Sequence, residues 1–220
     1  MSSSSAPEVR GTRARRRTDV LRASPPMFQS RALDSLSRVH PAVPLLIFVP
    51  LIAALEYWGL QKVGVGVSLA LGLGGYAIWT LFEYWLHRVV FHWEPDNAIG
   101  ARFHWIIHGV HHDHPNDPMR LVMPPGASVP LAVLVFGLML LVIGEEYAPS
   151  VAAGFFVGYL VYDMLHYYLH HFRPRGRVGR ALRERHMRHH FQDHERGFGI
   201  SAPYWDDVFH TTPAPRGRRK

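Results

Sequence analysis

The sequence predicts an all-α integral membrane protein, with four transmembrane helices in two hairpins and a cytosolic helical cap. Three observations carry that reading. Four long runs are almost free of charge. Very short and long polar connections alternate between them. All but one of the 24 Lys and Arg residues fall on one side of those runs.

Residues 1–40 open with a Ser run, continue with Arg13, Arg15, Arg16 and Arg17, and then reach Pro25-Pro26. That composition reads as a disordered basic tail. No apolar stretch follows the charges closely enough for a secretory signal, while an organellar transit peptide stays open. Ala42 to Leu60 is apolar except for Glu56, and Val63 to Phe82 carries no charge. A spanning helix needs roughly 20 mostly apolar residues, so both runs qualify. Gln61-Lys62 between them leaves room only for a tight hairpin. Five glycines in the second run (Gly64, Gly66, Gly72, Gly74 and Gly75) suit close helix packing in lipid. Leu121 to Gly144 is the third run, with Pro124-Pro125 ahead of the helix proper. Tyr147 to Leu165 is the fourth, interrupted only by Asp163, and the connection Gly144-Glu145-Glu146 is again short.

Four spans place the N-terminal tail, residues 83–120 and the C-terminal segment on one face. Among the basic residues only Lys62 lies on the other. Lys and Arg mark the cytoplasmic side, so both termini are expected in the cytoplasm. The 22 Arg against 2 Lys point to GC-rich coding and hence a bacterial inner membrane; in a eukaryote the endoplasmic reticulum would take its place. The net charge of +7 alone would allow nucleic-acid binding. There is no basic groove with interleaved aromatics, so no nucleic-acid partner is expected.

The chain has 16 His and no Cys, which excludes disulfides, Fe–S clusters and thiolate zinc sites. Ten of the histidines form four clusters, all on the cytoplasmic side: His87 and His92; His108, His111 and His112; His166 and His170; His186, His189 and His190. In H-x-x-H-H on a helix, positions i, i+3 and i+4 share a face, so each triplet is expected to aim three imidazoles at one point. Neutral imidazole is the commonest metal-ligating side chain. Ten exceed what one ion can use, and a two-metal site is the expectation. His92 is five residues beyond His87, which is not a same-face spacing, so the helix is expected to end between them ahead of Pro95.

A lone histidine here would read as an interfacial residue; ten in repeated spacing do not. All-nitrogen ligation suits Fe, Zn, Ni or Cu. Haem uses one or two axial ligands, and H-E-x-x-H is absent. A metal site beside an apolar bundle has access to lipid acyl chains. Attack on an unactivated C–H bond requires O2 chemistry, which iron supplies and zinc does not. The residues favour a membrane oxygenase over a metal transporter, whose ligands sit near the bilayer midplane.

Several segments carry a resemblance: Glu83-Tyr84-Trp85-Leu86-His87-Arg88 through His92, His108 to Pro125, Tyr162-Asp163 through His171, His186 to His190, Gly197-Phe198-Gly199-Ile200-Ser201 and Trp205-Asp206. Together they resemble the membrane-bound fatty acid hydroxylase superfamily, histidine-box di-iron enzymes that include sterol desaturases. Arg120-Leu121-Val122-Met123-Pro124-Pro125 is most similar to the fatty acid 2-hydroxylase branch. Sterol desaturase or carotenoid hydroxylase activity stays as the alternative. The resemblance implies a hydroxylase domain over 41–212, flanked by tails 1–40 and 213–220. It implies the ten histidines as ligands of two Fe ions, which Zn can replace in purified protein. It also implies O2 and a lipid acyl-chain substrate. His104, His114, His171, His194 and His210 fall outside that ligand set. Asp163, three residues before His166, is expected to orient a ligand. Trp85, Trp93, Trp105, Tyr204 and Trp205 are expected near the membrane interface. Similar eukaryotic 2-hydroxylases often carry a cytochrome b5-like domain, whereas His40-Pro41 here is not followed by Gly-Gly. Electrons are therefore expected from a separate protein, a ferredoxin or cytochrome b5, steered to the basic face.

Overall fold

A computed structural model describes residues 16–214. Among them the secondary structure is entirely helical: α1 (Arg17–Leu21), α2 (Arg31–Leu36), α3 (Ala42–Trp85), a π-helical continuation (Leu86–Phe91), α4 (Ala98–His104), a second π-helical stretch (Trp105–Gly109), α5 (Val110–Asp113), α6 (Pro125–His171), α7 (Arg177–Phe191) and α8 (Tyr204–Val208). Both α3 and α6 are long and apolar enough to cross a membrane.

Each of these two elements is broken at one glycine, Gly64 at φ 76°, ψ 168° and Gly144 at φ 78°, ψ 169°. A side chain is not tolerated in that region of backbone space. The first break therefore falls at Gly64, just after the expected Gln61-Lys62. Across it, Ser68 Oγ donates to Glu56 Oε1 at 2.8 Å, twelve residues back. A continuous helix would hold those residues about 18 Å apart. Phe48 and Trp79 both pack edge-on against Tyr159, with ring centroids 4.7 and 5.6 Å away. Lys62 Nζ meets Glu145 at 2.8 Å and ties the two breaks together, an exposed pair that adds little stability.

The core lies between α3 and α6, around Phe48, Leu55, Trp79, Phe155, Phe156 and Tyr159. Apolar side chains gain nothing over lipid tails, so contact here must come from close approach. A Cβ on Gly75 would run into the Val151 carbonyl, and one on Gly154 into the backbone of Gly72. Gly66 and Gly74 meet nothing within 4 Å, so only part of the glycine-rich run serves packing. Gly75→Val is accordingly expected to cost about 1–3 kcal/mol by overpacking. Gly74→Val, in open space, should move the thermal midpoint in detergent far less.

The expected disordered tail needs correction from Arg16 onward; residues 1–15 and 215–220 lie outside the described residues. Asp34 accepts from Met27 N at 2.6 Å, from Arg38 at 3.2 Å and from Arg120 Nη2 at 2.7 Å. Arg120 also reaches the Pro25 carbonyl, and Val39 N donates to Met119 O at 2.6 Å. Charges that look solvated in a composition window are paired with a segment far along the chain. Residues 16–40 strap the stretch ahead of α6.

Candidate metal centre

The histidines are carried on extensions of the apolar helices and on α7. Beyond Trp85 the helix does not end but widens into a π-helix, and His92 N donates to His87 O at 3.2 Å. This i to i+5 closure is one π turn, so His92 comes round above His87, with ring centroids 5.0 Å apart. The expected helix end between them is thus replaced by a device that makes a five-residue spacing co-facial. Trp105–Gly109 repeats it just before the second cluster. His166 and His170 occupy one face of the last turns of α6, and His186, His189 and His190 lie on α7.

All ten rings meet, in two groups of five. One holds His87, His92, His108, His112 and His189; the other His111, His166, His170, His186 and His190. In the first, Nε2 atoms are separated by 3.2 Å for His87–His108, 3.0 Å for His108–His112, 3.2 Å for His112–His189 and 3.1 Å for His189–His92. In the second the separations are 3.0 Å for His111–His166 and for His111–His190, 3.1 Å for His186–His190 and 2.7 Å for His170–His186. Each H-x-x-H-H triplet is split rather than pooled. Its i and i+4 rings serve one group and its i+3 ring the other. Positions i and i+4 differ by about 40° around a helix, while i+3 and i+4 differ by about 100°. Both triplets therefore lie between the groups and form their common wall.

These groups fit metal ions. Nitrogens about 2.1 Å from one ion stand about 3.0 Å apart when adjacent and about 4.2 Å apart when opposed. Within each group all donor atoms lie within 4.8 Å of one another. His87 Nδ1–H donates to the Phe198 carbonyl and His189 Nδ1–H to the Arg196 carbonyl, each at 2.7 Å. A carbonyl only accepts, so the lone pair of each ring is on Nε2, pointing inward. Burial, then the neighbouring imidazoles, holds His108, His111, His186 and His190 well below their usual range. Burial brings His189 down to about 4, and burial together with His189 brings His92 to about 3. At neutral pH these rings are uncharged, the form that ligates metal.

His104, His114, His171, His194 and His210 lie outside both groups. Asp163 is buried, but its partners are Met123 N and the Tyr159 hydroxyl, both at 3.3 Å. Among the described residues no imidazole is oriented by it, which corrects the expected role; it anchors the chain entering α6. The Phe198 and Arg196 carbonyls do orient two of the clustered imidazoles, and as backbone acceptors they leave no residue-type signature in the sequence. Of the aromatics, Trp85, Trp93 and Tyr204 are exposed, whereas Trp105 donates to Asp113 at 3.0 Å and Trp205 to Thr80 at 3.1 Å.

Below the histidines lies a half-open apolar cavity of about 20 Å³ between α3 and α6, lined by Phe48, Trp79, Phe82, Leu86 and Met123 among others. Leu86 adjoins His87 in the chain. A second apolar recess shares Phe48, Ala132 and Phe156 with the first, extending the groove towards Leu51 and Val133.

The family profile described as fatty acid hydroxylase matches residues 72–211, which span every one of the ten histidines. The chain belongs to the fatty acid hydroxylase family. It is 39% identical over 202 residues to a dihydroceramide fatty acyl 2-hydroxylase of Arabidopsis thaliana, covering 89% of this chain and 83% of that one. It is 37% identical over 210 residues to the fatty acid 2-hydroxylase of Homo sapiens, covering 84% of this chain but 56% of that longer one. A solved structure described as full-length scs7p, with only the hydroxylase domain visible, superposes with a TM-score of 0.79 at 32% identity. That match covers 84% of this chain and 71% of the other. As a fatty acid hydroxylase, this chain is an enzyme, and its long apolar helices suit a membrane protein.

Proposed function

We propose that this hydroxylase adds a hydroxyl to carbon 2 of fatty acyl chains, free or sphingolipid-linked, at a di-iron centre held by the ten histidines. One observation carries the reading. Two groups of five imidazoles, each with its ligand atoms gathered within 4.8 Å, adjoin an apolar groove between membrane-length helices. The names of the relatives in Arabidopsis thaliana and Homo sapiens support the acyl substrate and the position of attack.

Four spans in two hairpins, turning at Gly64 and Gly144, are part of this proposal, with both termini and the cages on the cytoplasmic side. The Ser68–Glu56 bond and the shared contacts of Phe48 and Trp79 with Tyr159 support the hairpins. The confinement of basic residues to one side supports the orientation.

Bound iron would supply the O2 activation that an unactivated C–H bond requires. The imidazoles hold the ions and stay uncharged at neutral pH. Phe48, Trp79 and Phe82 line the groove for the acyl chain and keep water from it. One oxygen atom of O2 enters the C–H bond. The other leaves as water, with two electrons and two protons drawn from a separate donor. An acidic ferredoxin or cytochrome b5 suits the basic cytoplasmic face.

The test is a mass-spectrometric lipid profile of cells expressing the protein with a supplied reductase, beside cells expressing His189→Ala. A 2-hydroxy acyl species made only by the intact protein is expected. An oxidised sterol or carotenoid in its place would overturn the substrate assignment.

A further inference from the structure

The two cages are not supported alike. His87 and His189, whose Nδ1 atoms bond the Phe198 and Arg196 carbonyls, belong to the same group of five. In the other group the Nδ1 atoms of His170, His186 and His190 are buried without a hydrogen-bond partner among the described residues. One loop, residues 196–201, therefore serves one cage.

That loop is held by two carboxylates from different parts of the chain. Asp206 accepts from Phe198 N at 2.9 Å through Oδ1 and from Gly199 N at 3.1 Å through Oδ2. Glu83 Oε1 accepts from Ile200 N at 2.9 Å and from Ser201 N at 2.8 Å, while Oε2 takes the Ser201 hydroxyl. Thr211 Oγ1 donates to Asp206 Oδ1 at 2.8 Å. Each carboxylate is only 1% exposed, and among the described residues neither forms a salt bridge. Four consecutive amides replace a cation as their partners. Burying two carboxylates is costly unless every oxygen is used, and here every oxygen is directed at the loop.

We propose that Glu83 and Asp206 are positioning residues for one metal ion only, acting through the Phe198 and Arg196 carbonyls on His87 and His189. A carbonyl fixed on Nδ1 holds the ring in the tautomer that ligates through Nε2 and makes that nitrogen more basic. In the cage of His111, His166, His170, His186 and His190, at least three of the five rings lack such a brace among the described residues, so the two ions differ in how firmly they are held. This inference rests on the metal reading above.

The experiment loads wild type and variants with Zn(II), a redox-silent probe, counts metal per chain, and follows release into excess chelator. Wild type should bind two ions that leave in two resolved phases. Asp206→Asn and Glu83→Ala should speed one phase by about 10–100-fold, the usual cost of losing an outer partner, and leave the other unchanged. His189→Ala should abolish that same phase. Glu83→Gln, whose amide oxygen still accepts from Ile200 and Ser201, should restore it. Thr211→Val, which removes one hydroxyl from Asp206, should act on the same phase by a smaller factor even if a harsher variant fails to fold. Equal release of both ions from wild type, equal acceleration of both phases, or no acceleration would overturn the inference. A wild type that binds no Zn(II) would instead overturn the metal reading itself.

Discussion

Replacing His111 with alanine is expected to abolish hydroxylation and to strip metal from the cage it completes. Its Nε2 stands 3.0 Å from those of both His166 and His190, and the ring is 7% exposed. The other four imidazoles of the group, on α6 and α7, already face the same point. Loss of a partner behind a ligand typically costs 10–100-fold in activity or affinity, so loss of the ligand itself should exceed about a hundredfold. Product analysis and elemental metal counting on the purified variant are the measurements. His210→Ala, outside both groups, should keep its metal. Retained turnover in His111→Ala and in His170→Ala would sink the metal assignment.

The metal-free protein is expected to lose stability steeply as pH falls below neutral. An unfolded imidazole titrates near 6.5, whereas burial holds His189 at about 4. Between those values the unfolded chain takes up a proton that the folded chain refuses. The stability tied to this ring is complete above pH 6.5 and is lost as pH drops towards 4. Each such ring contributes a slope of about 1.4 kcal/mol per pH unit. His108, His111, His186 and His190 are displaced in the same direction by burial, so several slopes add. Bound metal competes with the same protons, so acid should also release it. Thermal midpoints of chelator-treated protein from pH 8 to pH 5 test this; a flat profile would contradict it.

The sequence made the ten imidazoles and the apolar runs legible, because repeated spacing and composition are local properties. Their partition was not legible. The spacing of His186, His189 and His190 suggests a single focus, yet His189 faces His92 and His112 while its neighbours face His111 and His170. His87 and His92 looked mismatched only because an α-helix was assumed; the π turn decides their facing. Nearness to His166 pointed Asp163 at an imidazole, whereas its carboxylate takes Met123 N, 40 residues away, and the Tyr159 hydroxyl one turn back. The pairing of Asp34 with Arg120 spans 86 residues, beyond the reach of any composition window.

Alone, then, the sequence determined which side chains gather and which stretches shun water. Only the tertiary structure decided which ring serves which centre and which carbonyl sets its tautomer. Those choices join positions as distant as His112 with His189, 77 residues apart, and His87 with Phe198, 111 apart. A helical period places a side chain on a face; it says nothing about what stands opposite.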